Sequence, residues 1–522
     1  MKANKVPLME AVGKFMTEPS TPQGPRKILI VGAEVSPFAN VGGFSRVTEA
    51  LSKAMKNLGY DVRLMMPKFG FIDESKYKTE IVYAGLEVPT DQDEPRSLIC
   101  NVKKHISHDG IPVYFLENME YYELRSNVYG YVDDPIRWAL LCRGTLEFLK
   151  KGDWVPDVIH VNDWHTAVLP NYLVTKYLDS PKLADITTVL TIHNLRFQGN
   201  LDPLHVPELD FDDGRSPVAS FFSERLPKQN FMRRGIIYAD AVNTVSETYS
   251  REMLTPEYGE GLDKLLAEVR SKLFGIVNGI DYQEYDPATD KFLAANYDYR
   301  HLDKRPLNKL ALQKEFSLEQ DTQIPVLGYV GRMDDQKGID LAVEVLTPLL
   351  KDFNVQFVAV GGGDSKYTDL LRGLQQQFPK KVGTHLLPNF TLPRLVFSGA
   401  DIMLMPSRFE PCGIVQLEAM RYGAIPVVRA TGGLADTVEN YNPISGRGTG
   451  FVFKEFDKWA FFAQLVRALE VYNHKETWRD LILRAMRKDF SWEASAKKYL
   501  DLYLKARHFH QRALETPPYA LG

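Results

Sequence analysis

Short, fully apolar runs that end in polar residues or glycine recur along this chain, with helical patterns between them. Lys27-Ile-Leu-Ile-Val-Gly opens the series, and Val62 to Met66, Val113 to Leu116, Asp157 to Val161, Thr188 to Ile192 and Ala241 to Ser246 continue it. Apolar runs of this length without alternation predict strands buried on both faces, as in a parallel sheet. After the first of them, Phe44, Val47, Leu51, Ala54 and Leu58 fall at helical spacing. A second series comprises Val326 to Val330, Val355 to Val360, the region of Thr384, Ile402 to Met405 and Ile425 to Val428. Strands alternating with helices in both halves predict an α/β protein with two doubly wound sheets. In such sheets ligands bind beyond the carboxyl ends of the strands, so the residues that close each run are the candidate site.

Those closing residues are rich in chemistry. In the first half they are Gly42-Gly43, Asp163-Trp164-His165 and His193-Asn194; a glycine pair is as good a tight turn as a phosphate cradle. A lone strand-end histidine is more often structural, but several at one sheet edge favour a site. In the second half Arg332 and Lys337 flank a strand-to-helix turn, placed to converge on one anionic group such as a leaving diphosphate. Pro406 ends the Ile402 run, so Ser407 to Pro411 forms a loop carrying Glu410. Gly413 then opens a helical pattern with Ile414, Leu417, Met420 and Arg421 on one side, aiming free N–H groups at that loop. Thr431-Gly432-Gly433 closes the next strand, with N–H groups expected to take anionic charge, and Asn278-Gly279 carries a turn signal without periodicity, suited to a crossover. Asp133 and Asp134 are expected to cap a long helix, and the Cys412 thiol, beside a helix start, reads either as a lowered-pKa thiol or as a small packing residue.

Composition narrows the partners. A chain of 522 residues exceeds one ordinary core, and a formal charge of −4 supplies no basic excess for nucleic acid or a membrane surface. Three cysteines without paired spacing suggest neither disulfides nor zinc, and the expected location is cytoplasmic. Residues 1–25, rich in Pro and polar side chains, are expected to form a mobile extension.

PSRFEPCG followed by YGAIPVVRATGGLADTV resembles the signature of glycogen and bacterial starch synthases, glycosyltransferase family five. His160 to Thr166, Thr191-Ile-His193-Asn194 through Gly199, and Phe490-Ser-Trp492 resemble further family segments, so the likeness spans about Lys27 to Leu504. It implies the GT-B fold, in which two Rossmann-like domains face a central cleft. The expected division is 26–272, completed by a terminal helix 491–510, then a hinge 273–280, then a donor domain 281–490. It implies a retaining transfer of glucose from a nucleotide-glucose, ADP-glucose or UDP-glucose, to the end of an α-1,4-glucan such as glycogen or a maltooligosaccharide. No metal or other cofactor is expected. Catalytic roles are implied for Glu410, Arg332, Lys337 and His193. Substrate contacts are implied for Gly42, Gly43, Asp163, His165, Asn194, Asn278, Cys412, Gly413, Ile414, Glu418, Thr431, Gly432 and Gly433. Glu410 and Glu418 fit the E-x7-E spacing of related retaining transferases, although Glu418 reads equally as an ordinary helix glutamate. The chain departs from the family's Lys-x-Gly-Gly-Leu pattern, with Asn40 in place of the lysine and Arg46 where an acid is usual. Either Arg46 supplies the missing cation or it is a solvated surface residue. The alternatives are a small-sugar acceptor or a catalytically impaired glucan-binding protein.

Overall fold

A computed structural model describes residues 27–199 and 211–515; the segment 1–25 lies outside them. Among the described residues, fifteen strands form two sheets. The first contains β1 (Lys27–Val31), β2 (Asp61–Pro67), β3 (Glu80–Pro89), β4 (Ser97–Ile106), β5 (Pro112–Glu117), β6 (Val158–Asn162), β7 (Thr187–Ile192), β8 (Ala241–Thr244) and β9 (Leu273–Gly275). Its order is β3-β4-β5-β2-β1-β6-β7-β8-β9. The second contains β10 (Val326–Val330), β11 (Gln356–Val360), β12 (Val382–His385), β13 (Ile402–Met405), β14 (Ile425–Arg429) and β15 (Phe451–Phe453), in the order β12-β11-β10-β13-β14-β15.

The apolar runs are strands for the reason the pattern suggested: β1, β6, β7, β13 and β14 are buried almost throughout and pair in parallel with neighbours across helical crossovers. Three details differ. The first sheet is mixed, because β3, β4 and β5 are joined by connections too short for a crossover and must pair antiparallel. Leu273–Gly275, expected to belong to the crossover, adds β9 beside β8, and β15 extends the second sheet; at three residues each, neither shows a period. Asp133 and Asp134 do not cap their helix through their side chains; Asp133 pairs with Arg125, and Asp134 with Arg137 inside the core.

Each sheet has its own apolar core. The last described helix, Trp492–Glu515, follows the second sheet in sequence yet packs Trp492, Ala496, Tyr499, Leu502, Tyr503 and Ala506 into the first core. Its tyrosines bind polar groups inside the first sheet, Tyr503 meeting the His160 ring at 2.8 Å and Tyr499 accepting from Asn243 at 3.3 Å. The chain passes between the two bodies twice, and the passages touch: Ile280 N–H donates to the Phe490 carbonyl at 2.8 Å, and the Ser495 hydroxyl to the Val277 carbonyl at 2.8 Å. Helices Glu247–Glu252 and Gly432–Thr437, which follow β8 and β14, pack against each other, so the carboxyl edges of the two sheets face one another.

Candidate active site

On the second sheet the site is built by close backbone approach. Gly338 adopts φ 67 beside the Pro406 carbonyl, and a Cβ there would stand 2.1 Å from its oxygen. Only glycine lets the Lys337 turn lie against the Ser407–Pro411 loop. Lys337 Nζ therefore meets Glu410 Oε2 at 2.5 Å, and the Ser407 hydroxyl donates to the same oxygen at 3.1 Å. Oε1 has no hydrogen bond among the described residues. Arg332 does not join this pair: its guanidinium binds Asp334 at 2.8 Å and Gln336 at 3.1 Å, with 67% of the side chain exposed. The expected convergence of two cations is replaced by one cation on the carboxylate and one in solvent.

The helix after the Glu410 loop spans Val415–Arg421, two residues later than expected; Gly413 sits at φ 67 and Ile414 precedes the first turn. Cys412 is buried, and burial pushes its thiol up to about 12, which overturns a lowered pKa. Asn278, in the first crossover, donates its backbone N–H to that thiol, while its own Oδ1 is buried without a partner among the described residues. Glu418 lies on the same helix, raised to about 6 by burial against the favourable hydrogen bond of Tyr285 and the charges of Arg394 and Arg46. Arg46, exposed on the opposite body, reaches the Tyr285 hydroxyl at 3.5 Å. Both N–H groups expected to take anionic charge at the Thr431-Gly432-Gly433 turn are already engaged. Gly433 N–H donates to the Glu410 carbonyl at 3.1 Å, and Gly432 N–H to the Glu252 carboxylate at 3.1 Å. Thr431, buried, also donates to Glu252.

On the first sheet, Asp163 adopts φ 52, uncommon for a residue with a side chain, and its carboxylate accepts from His193 N–H at 2.7 Å. Burial raises Asp163 to about 7, against the hydrogen bonds from the backbones of His193 and Asn194. The His193 ring meets Asn162 Oδ1 at 3.1 Å and packs on Phe44; burial lowers it to about 3, so it is neutral near pH 7. His165 is likewise lowered to about 3 by burial, its ring among Tyr129, Trp138 and Trp164 and its Nδ1 buried without a partner among the described residues. The glycine turn at Gly42 is not an open cradle. Glu34, 2% exposed, accepts from Val41 N–H at 2.6 Å and Gly42 N–H at 3.1 Å. At Gly43 a Cβ would meet nothing within 4 Å.

The family model for the starch synthase catalytic domain matches residues 27–268, and that for glycosyl transferases group 1 matches residues 312–481. A glycogen synthase of Desulforudis audaxviator is 40% identical over 92% of this chain and 97% of its own length. The chain belongs to the glycogen and starch synthase family. Another member, from Clostridium perfringens, is 42% identical over 91% of this chain and 98% of its own. The catalytic domain of the family's starch synthase IV from Arabidopsis thaliana, solved bound to ADP and acarbose, superposes with a TM-score of 0.80 at 30% identity. It covers 93% of this chain and 100% of that one. A sucrose-phosphate synthase from Thermosynechococcus elongatus, at 19% identity and a TM-score of 0.56, shares the fold alone. Two sheets facing across a cleft with His193 on one edge and the Glu410 loop on the other are thus the GT-B arrangement of this family, and the chain is a glycosyltransferase.

Sequence reasoning overlooked Glu34, Glu252, Tyr285 and Asp436, whose carboxylate accepts from the Ser246 hydroxyl at 2.7 Å. Glu34 had a signal, since it stands just beyond β1 as Asp163 stands beyond β6. Glu252, Asp436 and Tyr285 had none, because each acts on a segment remote in sequence.

Proposed function

We propose that this enzyme transfers glucose from ADP-glucose to the non-reducing 4-hydroxyl of an α-1,4-glucan, with retention at the anomeric carbon. The observation that carries the reading is the Lys337–Glu410 pair at the second sheet's carboxyl edge, opposite the edge that bears His193. Breaking the bond from the sugar C1 to the diphosphate sends an electron pair to the diphosphate and gives the sugar oxocarbenium character. Lys337 is then the cation for the departing diphosphate, and Arg332 turns in from solvent to join it. Glu410 Oε1, without a hydrogen-bond partner among the described residues, faces the transferring glucose and stabilises its positive character. The acceptor 4-hydroxyl oxygen forms the new bond to C1, and its proton passes to the departing diphosphate oxygen, which gains the electron pair of the broken bond. His193, neutral near pH 7, holds a sugar hydroxyl and does not serve as an acid; Asp163 and His165 line the same side. Glu418 lies nearer the nucleotide ribose. No step calls on a metal ion or other cofactor. Closure of the cleft excludes water, which separates transfer from hydrolysis.

The Arabidopsis relative's ADP supports an adenine nucleotide, and composition supports a cytoplasmic location. Among the described residues no helix is long and apolar enough to cross a membrane. The deciding experiment is incorporation of labelled glucose from ADP-glucose and UDP-glucose into glycogen, with maltose and fructose as small acceptors. Faster transfer from ADP-glucose into glycogen is expected. Transfer to fructose alone, or glucan binding without transfer from either donor, overturns the reading.

A further inference from the structure

The contact between helices Glu247–Glu252 and Gly432–Thr437 is a reciprocal cap made across the cleft. Glu252 accepts from Gly432 N–H with both carboxylate oxygens at 3.1 Å, and from the Thr431 hydroxyl at 3.1 Å. In return Asp436 accepts from Thr248 N–H at 3.0 Å, the Thr248 hydroxyl at 2.6 Å and the Ser246 hydroxyl at 2.7 Å. Each helix thus supplies, from its far end, an acceptor for the first turn of the other, beside the cap that Ser246 already gives Tyr249 N–H at 2.9 Å. Neither helix can be capped this way unless the two bodies face each other.

The turn held by Glu252 rests directly on the catalytic loop. A Cβ at Gly432 would stand 2.0 Å from the Glu410 carbonyl oxygen, and one at Gly433 1.8 Å from the Cys412 carbonyl oxygen. Gly433 N–H donates to the Glu410 carbonyl, so the two backbones are bonded as well as in contact. With no slack between them, a shift of the Thr431–Gly433 turn must move residues 410–412.

We propose that Glu252 is a positioning residue that, by clasping the Thr431–Gly432 turn from the opposite body, sets the place of Glu410 and ties it to closure of the cleft. The proposal rests on the catalytic role assigned to Glu410 above. It differs from simple adhesion between bodies, which lowers stability and leaves turnover of the folded enzyme unchanged. The test uses the full chain with Glu252→Ala, Glu252→Gln, Asp436→Ala and the double variant Glu252→Ala/Asp436→Ala. For Glu252→Ala, kcat for glucose transfer into glycogen is expected to fall at least ~10-fold while donor KM stays within about threefold, since sub-ångström to ångström misplacement acts on the reacting geometry. Glu252→Gln keeps an oxygen that accepts from Gly432 N–H, and is expected to recover most of kcat. The double variant is expected to lose little beyond the worse single variant, because the two carboxylates form one cap.

Hydrogen exchange by mass spectrometry supplies a readout that needs no activity. Glu252→Ala is expected to speed exchange in peptides covering residues 407–413 as well as 431–434. Faster exchange confined to 431–434, or an unchanged kcat in folded Glu252→Ala protein, overturns the proposal. Should the wild type transfer no glucose, the functional reading fails by itself, and the spread of exchange into residues 407–413 still decides the clasp.

Discussion

Two glycine turns of this enzyme, one after β1 and one after β14, each have backbone N–H groups answered by a carboxylate. Their carboxylates come from different places. Glu34 lies just past β1 in the same body as the Gly42 turn, so that turn is complete whenever the first body is folded. Glu252 belongs to the first body and the Gly432 turn to the second, so the second turn is complete only while the bodies face each other. The same local device thus serves as a permanent fixture on one side and a conditional one on the other, and the conditional one adjoins Glu410.

The comparison breaks most visibly at the chemistry. Glu410→Gln is expected to lower glucose transfer by about 10³-fold with little change in melting, because on the proposed mechanism it removes the charge that faces the sugar while keeping its shape; retention of a tenth of the activity would remove the second turn's special standing. Next come the glycines themselves. Gly433→Ala places a Cβ 1.8 Å from the Cys412 carbonyl oxygen and is expected to cost roughly 10²-fold in kcat, whereas Gly43→Ala meets nothing within 4 Å and is expected to leave melting unchanged. A rise in donor KM for Gly43→Ala with melting intact would reveal a ligand passing close to that turn. Glu34→Ala removes the partner of two N–H groups, leaves a cavity where the buried side chain stood, and is expected to lower stability by about 2–3 kcal/mol, read by denaturant unfolding of the first body.

The smallest expected effect is a change in pH dependence. Glu418 is raised to about 6 by burial, and faces Tyr285, Arg394, Arg46 and Glu284, with Arg46 alone arriving from the first body. A nearby cation favours the ionised carboxylate, so Arg46→Gln raises the Glu418 value further. The ionised form is lost as pH falls through that value, and the acidic limb of kcat/KM for the donor is therefore expected to move to higher pH, by roughly half a unit. An unmoved limb would separate Arg46 from the site and leave it a surface residue.

Much of the fold was legible because buried strands announce themselves locally. Ile402–Met405 is apolar at every position, buried at every position, and stopped by Pro406. The His193 and Asp163 edge was legible for the same reason, each residue ending an apolar run. What was not legible is partnership. Asp334 and Gln336 stand two and four residues from Arg332, but their spacing does not say that they, and not the Glu410 loop, take its guanidinium; nothing near Gly432 says that Glu252 will cap it, since that pairing exists only after both bodies have folded. The three-residue strands β9 and β15 were hidden for a different reason, having no length over which a period could show.

The helix Trp492–Glu515 has a consequence for how the molecule comes into being. Chains are made from the amino terminus and domains tend to fold as they emerge. Here the first body lacks part of its interior, including the hydroxyls that meet His160 and Asn243, until every strand of the second sheet has left the ribosome. During synthesis its half-built surface stays open to other chains, and a nascent polypeptide stalled before Trp492 would expose that surface for as long as the stall lasts.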